Sequence, residues 1–299
     1  MRGLAILLGW AVAAGLAAQH FDEALRRKLE QKAAGFKGTV SLFAKHLETG
    51  RTVGIRHTEP VRTASTIKLP IMVAVFAMVQ RGEAQWEERL TLTAEDKVSG
   101  SGVLREFSNG MAFPLRDLIH LMIVVSDNTA TNLILDRITA DRVNLEMERL
   151  GLKQTRSMRK ILGDGSDLKP RASGHSTEGL LEVNKRWGIG VSTPVEMATL
   201  LEMLENGRAV GPEASKEMIA ILRRQRYKDC IGRYVTYPVA SKSGALDALR
   251  SDVGIVYTPR GRIVMALTVD AMPKPDWSPE NPGEILLGRL AEMIVKEWE

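Results

Sequence analysis

Ser65 and Lys68 stand three residues apart in Thr63-Ala64-Ser65-Thr66-Ile67-Lys68-Leu69-Pro70, ahead of the apolar residues Ile71, Met72, Val75 and Phe76. If that run is a helix, its turn sets the two side chains on one face, ammonium beside hydroxyl. A serine hydroxyl becomes a nucleophile when a neighbour removes its proton. A lysine can remove it once its pKa has been lowered. Taken alone, the pair reads more readily as a helix cap followed by a solvated lysine. Two later patterns change that balance. Ser126-Asp127-Asn128 stops a strongly apolar segment and adds a second hydroxyl and an amide, although the same residues can serve only as a helix cap. Lys242-Ser243-Gly244 adds a second ammonium on a β-rich run.

These groups need elements to hold them. Phe21 to Ala34 has the spacing of an amphipathic helix, with Phe21, Leu25 and Leu29 in step. Val40, Leu42 and Ala44 alternate, as do Val53 and Ile55, with the turn Glu48-Thr49-Gly50 between them, which predicts a hairpin. Helices are expected from Ser65 onward, over Leu115 to Val125, from Thr129 and over Asp141 to Leu150. Two more are expected after Thr193-Pro194 and over Pro212 to Arg224. Residues 151–190 read as a long irregular excursion. Val239 to Lys242, Val253 to Tyr257 and Arg262 to Val269 read as strands, and Leu287, Ala291, Ile294 and Trp298 share one face of a last helix. Strands at both chain ends with helices between them predict an α+β fold, its antiparallel sheet assembled from both ends and flanked by helices. Residues 19–299 form one domain in this reading, an α/β lobe of about 19–64 and 212–299 and a helical lobe of about 65–211, with Ser65 opening its helix at the cleft between them.

The 299 residues carry 41 Lys and Arg against 36 Asp and Glu, well mixed along the chain, which gives no basic stripe and no reason to expect nucleic acid. Residues 1–18 have the pattern of an export signal: Arg2, an apolar Leu4 to Leu16, and small residues at Gly15-Leu16-Ala17. The run is short for a membrane span, so removal and a periplasmic or secreted domain with no stable span are expected. Cys230 is the only cysteine, which rules out an intramolecular disulfide. His20, His46, His57, His120 and His175 show no metal-ligand spacing, and no metal or organic cofactor is expected.

Ser65-x-x-Lys68, Ser126-Asp127-Asn128 and Lys242-Ser243-Gly244, in this order and setting, resemble the motif set of class A β-lactamases and penicillin-binding proteins. The resemblance runs from about residue 21 to 299. Gly100-Ser101-Gly102 and Ser192-Thr193-Pro194-x-x-Met197-Ala198 are similar to the class A branch. It implies that Ser65 attacks a carbonyl and is acylated, and that Lys68 takes its proton. Ser126 would relay a proton to the departing nitrogen. Asn128 would hold the substrate's amide, and Lys242 and Arg250 its carboxylate. Ser243 stands where the family has threonine and keeps the hydroxyl; Gly244 completes the motif. The backbone N–H groups of Ser65 and Ala245 would form the oxyanion hole. For Arg250, a salt bridge is the alternative.

The resemblance breaks in one place. Class A enzymes free the acyl group with a glutamate in an Arg-x-Glu-x-x-Leu-Asn loop. Counted forward from Leu150-Gly151, its arginine falls on Arg159 and its glutamate on Ile161; counted backward from Thr193-Pro194, the glutamate falls near Thr177 or Glu178. Glu178 is the substitute the sequence offers, followed by Glu182, Asp164 and Asp167. The first expectation is therefore a monomeric class A-type serine hydrolase opening a small-molecule β-lactam through acyl-Ser65. The second is a DD-peptidase acting on D-Ala-D-Ala peptides of peptidoglycan, and the third a non-hydrolytic binder of β-lactams or muropeptides.

Overall fold

The computed structural model describes residues 21–163 and 173–299. The expected leader, Asp164 and Asp167 lie outside them. Helix α1 (Glu23–Ala33) leads into strands β1 (Thr39–His46) and β2 (Thr52–Ile55). The short strand β3 (Val61–Arg62) then delivers the chain to a 3-10 turn, Ala64–Ile67, which runs directly into helix α2 (Lys68–Gln80). After strands β4 (Arg89–Thr91) and β5 (Ala112–Pro114) come α3 (Leu115–Val124), α4 (Asn128–Ile138) and α5 (Ala140–Arg149). Strands β6 (Arg156–Ser157) and β7 (Gly190–Ser192) bracket the long excursion, whose described part also holds short 3-10 turns at Glu178–Leu180 and Glu182–Trp187. Next are α6 (Pro194–Glu205) and α7 (Pro212–Arg223), then the meander β8 (Val239–Leu246), β9 (Leu249–Thr258) and β10 (Gly261–Asp270), and finally α8 (Pro282–Trp298).

The main sheet has five antiparallel strands in the order β2-β1-β10-β9-β8. Its join between the two chain ends is the β1–β10 pair, from Thr39 opposite Asp270 to His46 opposite Ile263. The two-residue period of a strand distributes side chains between two cores. On one face Leu42, Ala44, Ile263, Met265 and Leu267 pack with Leu25 and Leu29 of α1 and with Leu287, Ala291 and Ile294 of α8. On the other, Phe43, Ala240, Val253, Ile255, Val264 and Ala266 join the apolar side chains of α2 to α7. Both predicted end helices and the α+β class with strands from both chain ends are present in this arrangement. No helix of the described residues is long and apolar enough to cross a membrane.

Helix α2 is buried on every side from Lys68 to Met78. It therefore shows no amphipathic stripe in the sequence, as a helix sheathed by others must not. Its N-terminal turn lies against β8, where Gly244 leaves no room for a side chain. A Cβ there would stand 2.9 Å from both Ser65 N and Thr63 O, and 3.0 Å from Thr66 N. Lys242 and Gly244 share the β8 face that also carries Ala240 into the helix-side core. The glycine of the third motif is thus the device that lets the strand pass flush against the first. Gly244→Ala is expected to lower unfolding stability by about 1–3 kcal/mol, as overpacking against backbone does. Urea denaturation followed by circular dichroism measures it, and an unchanged midpoint would contradict the contact.

Candidate active site

The 3-10 turn Ala64–Ile67 replaces the α-helical start expected for Ser65, and the α-helix proper begins at Lys68. The tighter winding brings residues three apart into line, so the Ser65–Lys68 spacing still serves one face. Ser65 is half-buried between the buried residues Ala64 and Thr66. Ala64 has φ +46°, a left-handed backbone in a residue with a side chain. Ser126 shares this conformation, with φ +54°. Such residues carry strain of about 1–3 kcal/mol each unless their surroundings impose it. At Ser126 the surroundings are visible: Asp127 N donates to Leu121 O (3.0 Å) and Asn128 N donates to Ser101 O (3.0 Å).

Asp127 is the brace of this turn. One carboxylate oxygen caps α4 by accepting from Ala130 N (2.8 Å), and the other accepts from Val103 N (2.7 Å) and Leu104 N (2.8 Å). It therefore ties the glycine-containing loop 99–104 to the Ser126 turn. Asn128, the first residue of α4, is equally committed: its Nδ2 donates to Ser99 O at 3.0 Å.

The first, second and third motifs meet at Ser126. Lys68 Nζ donates to Ser126 O (2.7 Å), Ser126 Oγ (3.2 Å) and Asn128 Oδ1 (2.9 Å). Lys242 Nζ donates to the same Ser126 Oγ (3.0 Å) and to Ser243 O (2.7 Å). Both lysines are fully buried. Burial, with the Lys242 charge next to it, holds Lys68 well below the ordinary lysine range, against the pull of Asp127. Burial brings Lys242 down to about 7, opposed by Asp252. A neutral Lys68 would keep two N–H donors and gain a lone pair. Two amines of depressed basicity around one hydroxyl can therefore take and return a proton through it.

The structure separates Arg250 from this cluster, which corrects its expected role at the substrate carboxylate. Its Nε pairs with Glu284 of α8 (2.8 Å) and its other nitrogens donate to Leu246 O, Leu249 O and Asp276 O. The guanidinium lies 4.6 Å from the centre of the Trp277 ring. By strand alternation Arg250 stands on the α8 face of β9, opposite to the face that Lys242 uses on β8. The salt-bridge alternative is the one observed, and it is buried rather than superficial. Ser243, Gly244 and Ala245 follow Lys242 on β8, beside the 3-10 turn.

Asn132, one helical turn past Asn128 on α4, was not singled out in the sequence and is the anchor of the long loop. Its Oδ1 accepts from Ile161 N (2.8 Å) and its Nδ2 donates to Ile161 O (2.9 Å). Behind it, buried Lys160 pairs with Asp136 at 2.8 Å. A Cβ on Gly163 would stand 2.6 Å from Ser99 Oγ, so the segment continues past the loop that holds Asn128. The residue pinned beside α4 is thus apolar Ile161, as the forward count has it. Glu178 is elsewhere, with a side chain 45% exposed and 3.4 Å from Arg156. Glu182 pairs with Lys185 on the exterior. Neither carboxylate stands with the lysine–serine cluster. An Asn four residues after a motif Asn, on the same helix face, was the available signal for this clamp.

Among the described residues, no group of three His, Cys, Asp or Glu side chains is arranged to hold a metal ion. A family model described as "Beta-lactamase enzyme family" matches residues 24–298. The chain is similar to the crystal structure of a β-lactamase from Sphaerobacter thermophilus, with 31% identity, a TM-score of 0.77 and coverage of 91% of this chain and 96% of that one. It shares its fold with the solved structure of PBP-A, with 24% identity, a TM-score of 0.80 and coverage of 93% and 97%. It is also 25% identical, over 93% of this chain and 99% of the relative, to a β-lactamase regulatory protein, BlaB, of Streptomyces cacaoi. Asn132→Leu is expected to remove the clamp while filling similar space. Hydrogen exchange of the Ile161 amide should then accelerate, with about 1–3 kcal/mol lost from two partly buried hydrogen bonds. Exchange as slow as in the parent protein would mean that the loop is held by other contacts.

Proposed function

The chain belongs to the β-lactamase enzyme family, and on that premise we propose that it is a serine hydrolase that opens the β-lactam ring through an acyl-enzyme on Ser65. The observation that carries the reading is the single Ser126 hydroxyl held between Lys68 and Lys242, at 3.2 and 3.0 Å. In this mechanism Lys68, as a neutral amine, takes the proton of Ser65 Oγ, which attacks the lactam carbonyl carbon. The backbone N–H groups of Ser65 and Ala245 receive the developing oxyanion, a contribution of about 100- to 1000-fold per donor in such sites. The C–N bond then breaks as Ser126 gives its proton to the nitrogen, and Lys68 returns its extra proton to Ser126. The net transfer is one proton from Ser65 to the leaving nitrogen. The Lys242 ammonium holds the substrate carboxylate, and the Asn128 amide the substrate's side chain. Export as a monomeric periplasmic or secreted enzyme is part of the same proposal and rests on the pattern of residues 1–18.

A second reading is favoured by Ile161. The loop residue clamped by Asn132 is apolar, so it supplies no carboxylate to activate water. Release of a penicilloyl group would then be slow, and the better acyl donor would be a D-Ala-D-Ala peptide, whose small leaving group diffuses away and admits an acceptor. This is the DD-peptidase alternative, with β-lactams as slowly released acyl groups.

Intact-protein mass spectrometry after mixing with benzylpenicillin tests both. A penicilloyl adduct is expected on Ser65, absent from Ser65→Ala, and returning slowly. Ile161→Glu is expected to speed its return by about 100-fold, within the usual range for a positioned general base. No adduct on the parent protein at any time would remove the acyl-enzyme proposal. Fast return in the parent with no effect of Ile161→Glu would remove the second reading and leave the first.

A further inference from the structure

Among the described residues, Trp277 is the most exposed aromatic side chain, at 64%, and it is nevertheless held in place. It stands on the loop 271–281 between β10 and α8. The buried guanidinium of Arg250 lies over one face of its ring, 4.6 Å from the centre. The same guanidinium donates to Asp276 O, which also accepts from Asn281 Nδ2 at 2.6 Å. At the ring edge, Trp277 Nε1 donates to Asp247 Oδ1 at 3.2 Å, in the turn between β8 and β9. An indole left in water adds little to a core, but one fixed before a ligand arrives loses little freedom when the ligand binds.

The acyl-Ser65 proposal, on which this inference rests, gives the place of this indole a meaning. It runs a substrate along β8, from its carboxylate at Lys242 to the attacked carbonyl at the Ala245 N–H, with Gly244 against Ser65 N between them. Whatever the substrate carries on the acyl side of that carbonyl continues in the same direction, toward Leu246 and Asp247. Strand β8 is the edge of its sheet, so an extended chain can lie beside it. From Gly244 to Asp247 the strand advances about 10 Å. One peptide unit, about 3.8 Å between Cα atoms, followed by a side chain with the four-carbon stem of lysine, covers a comparable distance. Two groups there suit a cation. Asp247 is exposed and makes no ion pair among the described residues, with Lys274 of the same loop or any other. The ring face of Trp277 turned away from Arg250 is open to solvent. The Arg250 charge is matched by Glu284 at 2.8 Å, which limits its opposition to a second cation on that face.

We propose that Trp277 and Asp247 form a subsite for a primary ammonium on the acyl side of the substrate, the side-chain amine of a diamino acid one residue before the attacked carbonyl. The ammonium lies on the open indole face and pairs with the Asp247 carboxylate. Arg250 is a positioning residue: it touches no substrate and sets the indole beside the β8–β9 turn. The subsite selects among acyl donors and takes no part in bond breaking.

The test compares two probes, 6-aminopenicillanic acid acylated with Nα-acetyl-L-lysine and the same penicillin with the lysine Nε acetylated as well. Intact-protein mass spectrometry gives the acylation rate of each, and their ratio cancels any general change in reactivity. In the parent the free amine is expected to acylate about 5- to 10-fold faster, the size of one exposed ion pair with one cation–π contact. In Trp277→Ala and in Asp247→Asn the ratio is expected to fall toward one. A ratio near one in the parent, or the parent's ratio kept in either variant, would overturn the proposal. Should Trp277→Ala not fold, Asp247→Asn decides, since it keeps an acceptor for the indole N–H and removes only the charge. A parent that benzylpenicillin acylates while the two probes react alike sinks this inference alone. A parent that benzylpenicillin never acylates sinks the acyl-Ser65 reading together with it.

Discussion

Two buried lysine nitrogens converge on one serine hydroxyl, and the rest of the architecture answers to that arrangement. Like charges at such range in a buried place repel strongly, and the repulsion is relieved when one of them surrenders a proton. Together with burial, this makes available at Lys68 a lone pair that a lysine in water keeps protonated. The hydroxyl of Ser126 is the relay, and its backbone carbonyl, with the Asn128 amide oxygen, fixes the direction in which Lys68 points.

Holding the convergence requires three stretches of backbone that are unusual in themselves. The turn at Ala64 and the turn at Ser126 are both left-handed, and the strand at Gly244 approaches nearer than any side chain would allow. Each is imposed by its surroundings. Helix α2 is encased on all sides, Asp127 anchors the second turn with three N–H groups, and β8 is the edge of a five-stranded sheet whose two faces are both covered. Rigid supports of this kind let reacting groups be placed before substrate arrives.

Much of this was legible in the residues. The three motifs announced themselves because nucleophile, base and relay must be particular residue types at fixed local spacing. The two-ended sheet followed from alternation in Val40, Leu42 and Ala44 and in the runs up to Val269. Arg250 misled because a sequence records an arginine eight residues after Lys242 but not the strand face on which it stands; alternation from Lys242 through the β8–β9 hairpin sends it to α8. Asn132 was passed over because its partner is the backbone of Ile161, a contact that carries no local signature. The two competing counts for the loop glutamate could not be reconciled from spacing, since the insertion within 151–190 has no internal landmark. The clamp on Ile161 supplied one.

The β1–β10 pairing has a consequence for how the molecule comes into being. The nucleophile lies in the first quarter of the chain, but β1, upstream of it, completes its ladder only with residues 261–270. Until those residues arrive, Leu42 and Ala44 have only β2 to lie beside, and the β8–β9 hairpin has no strand that joins it to them. Folding must therefore wait on contacts between the two ends of the polypeptide, a topology that slows the search and leaves apolar strand edges open meanwhile. A chain built in this way gains its main sheet only when nearly all of it has been made.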